Sequence, residues 1–140
     1  MVTTTSSGAG QGRPDQPALA FGLPSLASSV AHARWRVGEL CRPLGGEAEC
    51  DTAALLVSEL VTNAVVHGSG EVEVRAVVAG TRLRVEVCDG SLQLPRAGHP
   101  GADSESGRGV MLVETLADAW GAEIVPGGKR VWFELECCLA

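Results

Sequence analysis

The sequence predicts an α+β fold, a two-layer sandwich with helices on one face of a mixed, mostly antiparallel sheet. Three observations predict it. Residues 55–68, LLVSELVTNAVVHG, carry apolar side chains at helical spacing. Residues 71–78 and 81–88 alternate with period two across a glycine-containing turn, and a second alternating pair closes the chain around Gly127-Gly128. One buried and one wet face per strand suits an antiparallel sheet covered on one side.

The composition sets the frame. A chain of 140 residues fits one domain with a sizeable core. The expected division is a disordered tail over residues 1–17, rich in Thr, Ser, Gly and Pro, and one domain over residues 18–140. A net charge of −6 argues against a nucleic-acid or anionic-membrane partner. No apolar run approaches the roughly 18 residues of a membrane span, and no signal peptide is visible. Cys41, Cys50, Cys88, Cys137 and Cys138 are scattered and odd in number, without a CxxC pair. They predict neither a zinc knuckle nor a disulfide framework, and fit free thiols in a cytoplasmic protein.

In chain order, residues 18–23 form a short apolar run before Pro24, fit for an edge strand. Residues 25–42 have helical periodicity through Leu26, Val30, Ala33, Val37 and Leu40, and Pro43 stops them. Trp35 on this helix is expected to pack in the core. His32 is a lone histidine and carries no phospho-acceptor argument. Asp51 is the expected N-cap of the helix that follows, and Gly68 its C-cap. Residues 110–120 read as a further helix, with Val110, Val113, Leu116 and Ala117 inward and Gly121 as its cap. Strands over 122–126 and 129–136 complete the sheet.

The chemistry centres on two stretches. Glu59, Asn63 and His67 recur every four residues and form a polar row beside the seam of Leu56, Leu60 and Ala64. A carboxylate and a carboxamide one turn apart can activate a nucleophile and hold a hard cation by oxygen. The same row also fits a plain solvated helix edge. Residues 89–109, DGSLQLPRAGHPGADSESGRG, are too long and glycine-rich for a routine connection. They lead into a helix N-terminus where bare N–H groups attract phosphate and Arg108 adds a cation. A flexible surface connection reads equally well from these residues alone.

Three segments together resemble a known family. SELVTNAVVHG resembles the N box of the ATPase superfamily shared by gyrase, ninety-kilodalton heat-shock chaperones, sensor histidine kinases and MutL. VEVCDG resembles the box whose aspartate binds adenine. SGRGVMLVETLADAWG with PGGKRVWFEL resembles the lid-to-helix glycine box and closing strands. The whole run is similar to small actinobacterial anti-sigma regulatory factors with serine-protein-kinase character. The family's Asp-x-Gly-x-Gly is here Asp89-Gly90-Ser91-Leu92-Gln93, and Lys129-Arg130 follow the Gly-Gly turn where a threonine often stands.

The resemblance implies ATP and Mg²⁺ as cofactors. Asp89, with Gly90, would meet the adenine amino group, and Asn63 would hold magnesium. Glu59 would be the general base. Gly107, Arg108 and Gly109 would meet the phosphates, with His67 flanking them. It also implies a protein-serine kinase that phosphorylates an anti-anti-sigma protein and sequesters a sigma factor. The alternative is an ATP-dependent anti-sigma binding module without phosphoryl transfer. A homodimer is left open. Residues 91–106 are expected to act as a nucleotide-gated lid, ordered by ATP more than by ADP.

Overall fold

The computed structural model describes residues 18–44, 46–94 and 112–137. Its elements run β1 (Ala18–Leu23), α1 (Ser28–Cys41), α2 (Glu47–His67), β2 (Val72–Ala79), β3 (Arg82–Asp89), β4 (Ala119–Val125) and β5 (Gly128–Glu136). The strands form one sheet in the order β1-β2-β3-β5-β4, and all four pairings are antiparallel. The expected mixed sheet is therefore wholly antiparallel among the described residues. β1 is an edge strand, as its closing Pro24 predicts.

Alternation decides what the sheet buries. Val72, Val74, Ala76 and Val78 of β2, Leu83, Val85 and Val87 of β3, and Val131, Phe133 and Leu135 of β5 all face the core. Against them α2 lays Ala53, Leu56, Val57, Leu60, Val61 and Ala64, while α1 adds Ala33, Val37 and Cys41. The opposite face is held by charge. Arg84 donates to Glu134 at 2.8 Å and to Glu86 at 2.9 Å, and Arg130 donates to Glu123 at 2.6 Å. The Arg84 guanidinium also lies 4.1 Å from the Trp132 ring centroid, which seals that indole from water. Burial alone would raise the Glu134 carboxyl, but hydrogen bonds from Arg84 and Arg82 outweigh it and hold it below its ordinary range.

Four expectations are corrected. Trp35 does not pack in the core; it is 63% exposed. The buried positions of α1 are Ser29, Ala33, Val37 and Cys41, and Trp35 stands about 200° round the helix from Ala33. Leu26 precedes α1 and is also exposed. Asp51 is not an N-cap, because α2 begins a full turn earlier behind Gly46, whose φ of 73° breaks the chain direction. Glu47 and Glu49 then place negative charge at the positive end of the helix.

The fourth correction concerns residues 110–120. Helix occupies only 112–116 of the described part, and Ala119, Trp120 and Gly121 belong to β4. Trp120 pairs with Phe133 and buries its ring, while Leu116 stays exposed. Gly121 is no helix cap. It sits opposite Trp132, whose ring atoms would lie 2.7 Å from any added Cβ. Cross-strand packing thus outweighs the helical periodicity of this stretch. The hairpin turns also shift by one residue: Ala79 pairs with Arg82, and Val125 with Gly128. The second turn is Pro126-Gly127, with Gly127 at φ 89°, as a type II turn requires.

Folding gathers three of the scattered cysteines. Cys41 Sγ lies 2.8 Å from Cys50 Sγ and 3.5 Å from Cys137 Sγ, where α1 ends, α2 begins and β5 ends. Burial pushes the Cys41 thiol far up, and hydrogen bonds to Cys50 and Cys137 add to it. Burial raises Cys137 and Cys88 as well. In the unfolded chain such thiols ionise near pH ~8.5, so above that pH the unfolded state binds fewer protons than the folded one. Stability should therefore be intact below about pH 8.5 and fall as pH rises, by up to about 1.4 kcal/mol per pH unit for each protected thiol. Thermal melts between neutral and alkaline pH check this, and Cys41→Ala should flatten the slope.

Candidate functional site

The site forms where α2 ends against the end of β3. Asp89 is the last residue of β3 and continues the inward alternation of Leu83, Val85 and Val87. Its side chain is 1% exposed. Oδ1 accepts a hydrogen bond from Ser91 N–H at 2.7 Å, and Oδ2 lies 3.6 Å from Lys129 Nζ. Lys129 is the register partner of Asp89 on β5, is itself buried, and donates to the Gln93 carbonyl at 2.9 Å.

Glycines let these pieces meet. Gly68 caps α2 by donating its N–H to the Ala64 carbonyl at 2.9 Å. A Cβ there would stand 2.3 Å from that carbonyl oxygen and 2.7 Å from the Asp89 carboxyl carbon. So the carboxylate abuts the C-terminal turn of α2 through a gap that only glycine leaves. Gly90 donates to the Ser69 carbonyl at 2.7 Å, which ties the strand end to the segment after the helix. At Gly128 a Cβ would fall 1.9 Å from the Asp89 carbonyl oxygen.

The polar row of α2 leads away from this point. His67 is the last residue of the helix and is exposed, while Asn63 and Glu59 are half-buried. Asn63 lies about 7.5 Å and Glu59 about 13.5 Å before Gly68 along the helix axis. The row thus begins beside the Asp89 carboxylate, and the predicted residues Glu59, Asn63, His67, Asp89 and Gly90 belong to one helix and the strand end it abuts. Gly107, Arg108 and Gly109 lie outside the described residues, as does residues 95–106 of the expected lid. Among the described residues no group of three His, Cys, Asp or Glu side chains could hold a metal.

Lys129 is the residue that sequence reasoning did not place in the site. Its place there is set by the β3–β5 register, which puts it opposite Asp89. A buried carboxylate needs a compensating charge or hydrogen bonds, and the negative end of the α2 dipole sharpens that need. Lys129 meets it.

The model of the histidine kinase-like ATPase domain family matches residues 23–135. No curated protein sequence matches significantly. Among solved structures, the chain is similar to the crystal structure of the RsbU and RsbW domains of Rv1364c from Mycobacterium tuberculosis. The TM-score is 0.65 at 20% identity, over 86% of this chain and 32% of that one. The chain therefore spans about a third of that protein's length, and the likeness is one of fold. No helix among the described residues is long and apolar enough to cross a membrane.

Proposed function

Because the chain belongs to the histidine kinase-like ATPase domain family, we propose that it binds ATP with Mg²⁺ and acts as an anti-sigma regulatory factor with protein-serine kinase activity. The observation that carries this reading is Asp89, a carboxylate buried at the foot of the polar row of α2. It offers an acceptor to the 6-amino group of adenine. The row then extends over a length suited to a nucleoside triphosphate. Asn63 would give its amide oxygen to magnesium, which neutralises phosphate charge when bound. Glu59 would take the proton from the attacking serine hydroxyl, and His67 would flank the phosphates. Phosphoryl transfer asks mainly for such positioning and charge neutralisation.

The partners we propose are a sigma factor and a small anti-anti-sigma protein that carries the accepting serine. The resemblance of the three boxes and the fold likeness to a structure that contains an RsbW domain support this choice. The test begins with co-purification and identification of the partner by mass, followed by transfer assays with labelled ATP. Asn63→Ala should lose magnesium-dependent ATP affinity. Glu59→Ala should keep most of the binding and lose transfer by ~10²–10⁴-fold. A Glu59→Ala protein that transfers at the wild-type rate places the base elsewhere. A wild-type protein that binds ATP and the partner but transfers nothing is a binding module.

A further inference from the structure

We propose that Cys41 and Cys50 form a thiol pair that a hydroperoxide oxidises to a disulfide, tying the end of α1 to the first turn of α2. The inference stands apart from the nucleotide reading and uses side chains that the proposed chemistry leaves idle. The two sulfurs are 2.8 Å apart, although the residues are nine positions apart in the chain. A disulfide holds its sulfurs at about 2.05 Å, so closure asks for a movement of about 0.8 Å. Cys41 ends α1 and Cys50 lies in the first turn of α2, so the bridge joins two helices that already pack together. Gly46, with its φ of 73°, turns the chain between them. Cys137, just past the end of β5, lies 3.5 Å from Cys41 and makes Cys41 the central sulfur of the cluster.

Exposure divides the roles. Cys41 and Cys137 are fully buried, and burial keeps the Cys41 thiol protonated. Cys50 is partly exposed, so it is the sulfur of the cluster that an oxidant reaches first. As thiolate, Cys50 attacks one peroxide oxygen and the O–O bond breaks. The sulfur keeps a hydroxyl as sulfenic acid, and the other oxygen leaves as hydroxide and becomes water on taking up a proton. The Cys41 sulfur then attacks the Cys50 sulfur and the S–O bond breaks. The departing hydroxide takes the Cys41 proton and leaves as water. Two thiols and one hydrogen peroxide thus become one disulfide and two waters, with two electrons passing from sulfur to oxygen. The neighbour at 2.8 Å favours the bridge over further oxidation of Cys50, because capture within the pair needs no second encounter. Cys88 lies on the opposite face of the sheet, outside the cluster, and serves as the reference thiol.

The test is hydrogen peroxide treatment of the folded full chain, alkylation of the remaining thiols in denaturant, and peptide mapping by mass after cleavage at glutamates. Glu47 and Glu49 stand between Cys41 and Cys50, so their peptides separate unless a disulfide links them. The expected result is a Cys41–Cys50 linkage that a dithiol reductant parts, in a protein whose Tm has risen by roughly 10 °C. Cys50→Ser should leave Cys41 and Cys137 reduced, while Cys88→Ser and Cys137→Ser should still form the bridge. Cys50→Ser changes a partly exposed position, so it tests the route even where Cys41→Ser does not fold. Cys50 oxidised to sulfinic acid beside a Cys41 still open to alkylation overturns the inference. So does a disulfide from Cys50 to any cysteine other than Cys41, a Cys41–Cys137 bridge formed equally well in Cys50→Ser, or survival of every thiol under peroxide.

Discussion

Gly128→Ala should destabilise the domain by about 3 kcal/mol and lower its Tm by roughly 10 °C. The added methyl would fall 1.9 Å from the Asp89 carbonyl oxygen and 2.7 Å from Gly90 Cα. Both neighbours are backbone, so no side-chain rotation relieves the contact. The ends of β3 and β5 must separate, which disturbs the pairing of Asp89 with Lys129. The Asp89 carboxylate moves with that strand end, so nucleotide affinity should fall along with stability. Thermal melts with and without ATP measure both effects. A protein that melts at the wild-type temperature would show that the strand ends part freely.

Asp89→Asn should abolish most ATP binding in a protein that still folds. The substitution keeps the shape of the side chain and removes its charge. A charge-assisted hydrogen bond is worth about 1.5–3 kcal/mol, which corresponds to roughly a ten- to hundredfold loss of affinity. The ion pair with Lys129 also goes, so the buried ammonium is left with the Gln93 carbonyl as its remaining described partner. Circular dichroism establishes folding, and calorimetry reads the affinity. Unchanged ATP affinity in a folded Asp89→Asn protein would end the assignment of Asp89 to the base.

Part of the placement of the candidate residues was legible in the sequence. The four-residue spacing of Glu59, Asn63 and His67 needs only helical geometry, and α2 carries all three as expected. Asp89 was reached through the resemblance of VEVCDG to the adenine box, and the structure makes it the next inward position of β3 after Val87. Lys129 was not legible, because its burial depends on the β3–β5 register, and a lysine after a glycine turn ordinarily points to water. Trp35 misled for a related reason. An indole on an amphipathic helix usually packs, but the phase of α1 is set by the smaller Ala33, Val37 and Cys41.

Taken alone, the sequence determined the class of fold, the element order apart from residues 110–121, and the faces that β2, β3 and β5 bury. These depend on local periodicity, which survives in any window of the chain. Only the tertiary structure decided the rest. It made Ala119–Val125 a strand on β5, where the Trp132 ring leaves room only for glycine opposite it at Gly121. It gathered Cys41, Cys50 and Cys137 from three distant elements. It set the carboxylate of Asp89 between the end of α2 and the ammonium of Lys129. Each of these depends on contacts between residues far apart in the chain, and such contacts are chosen by packing and strand register, which no local pattern encodes.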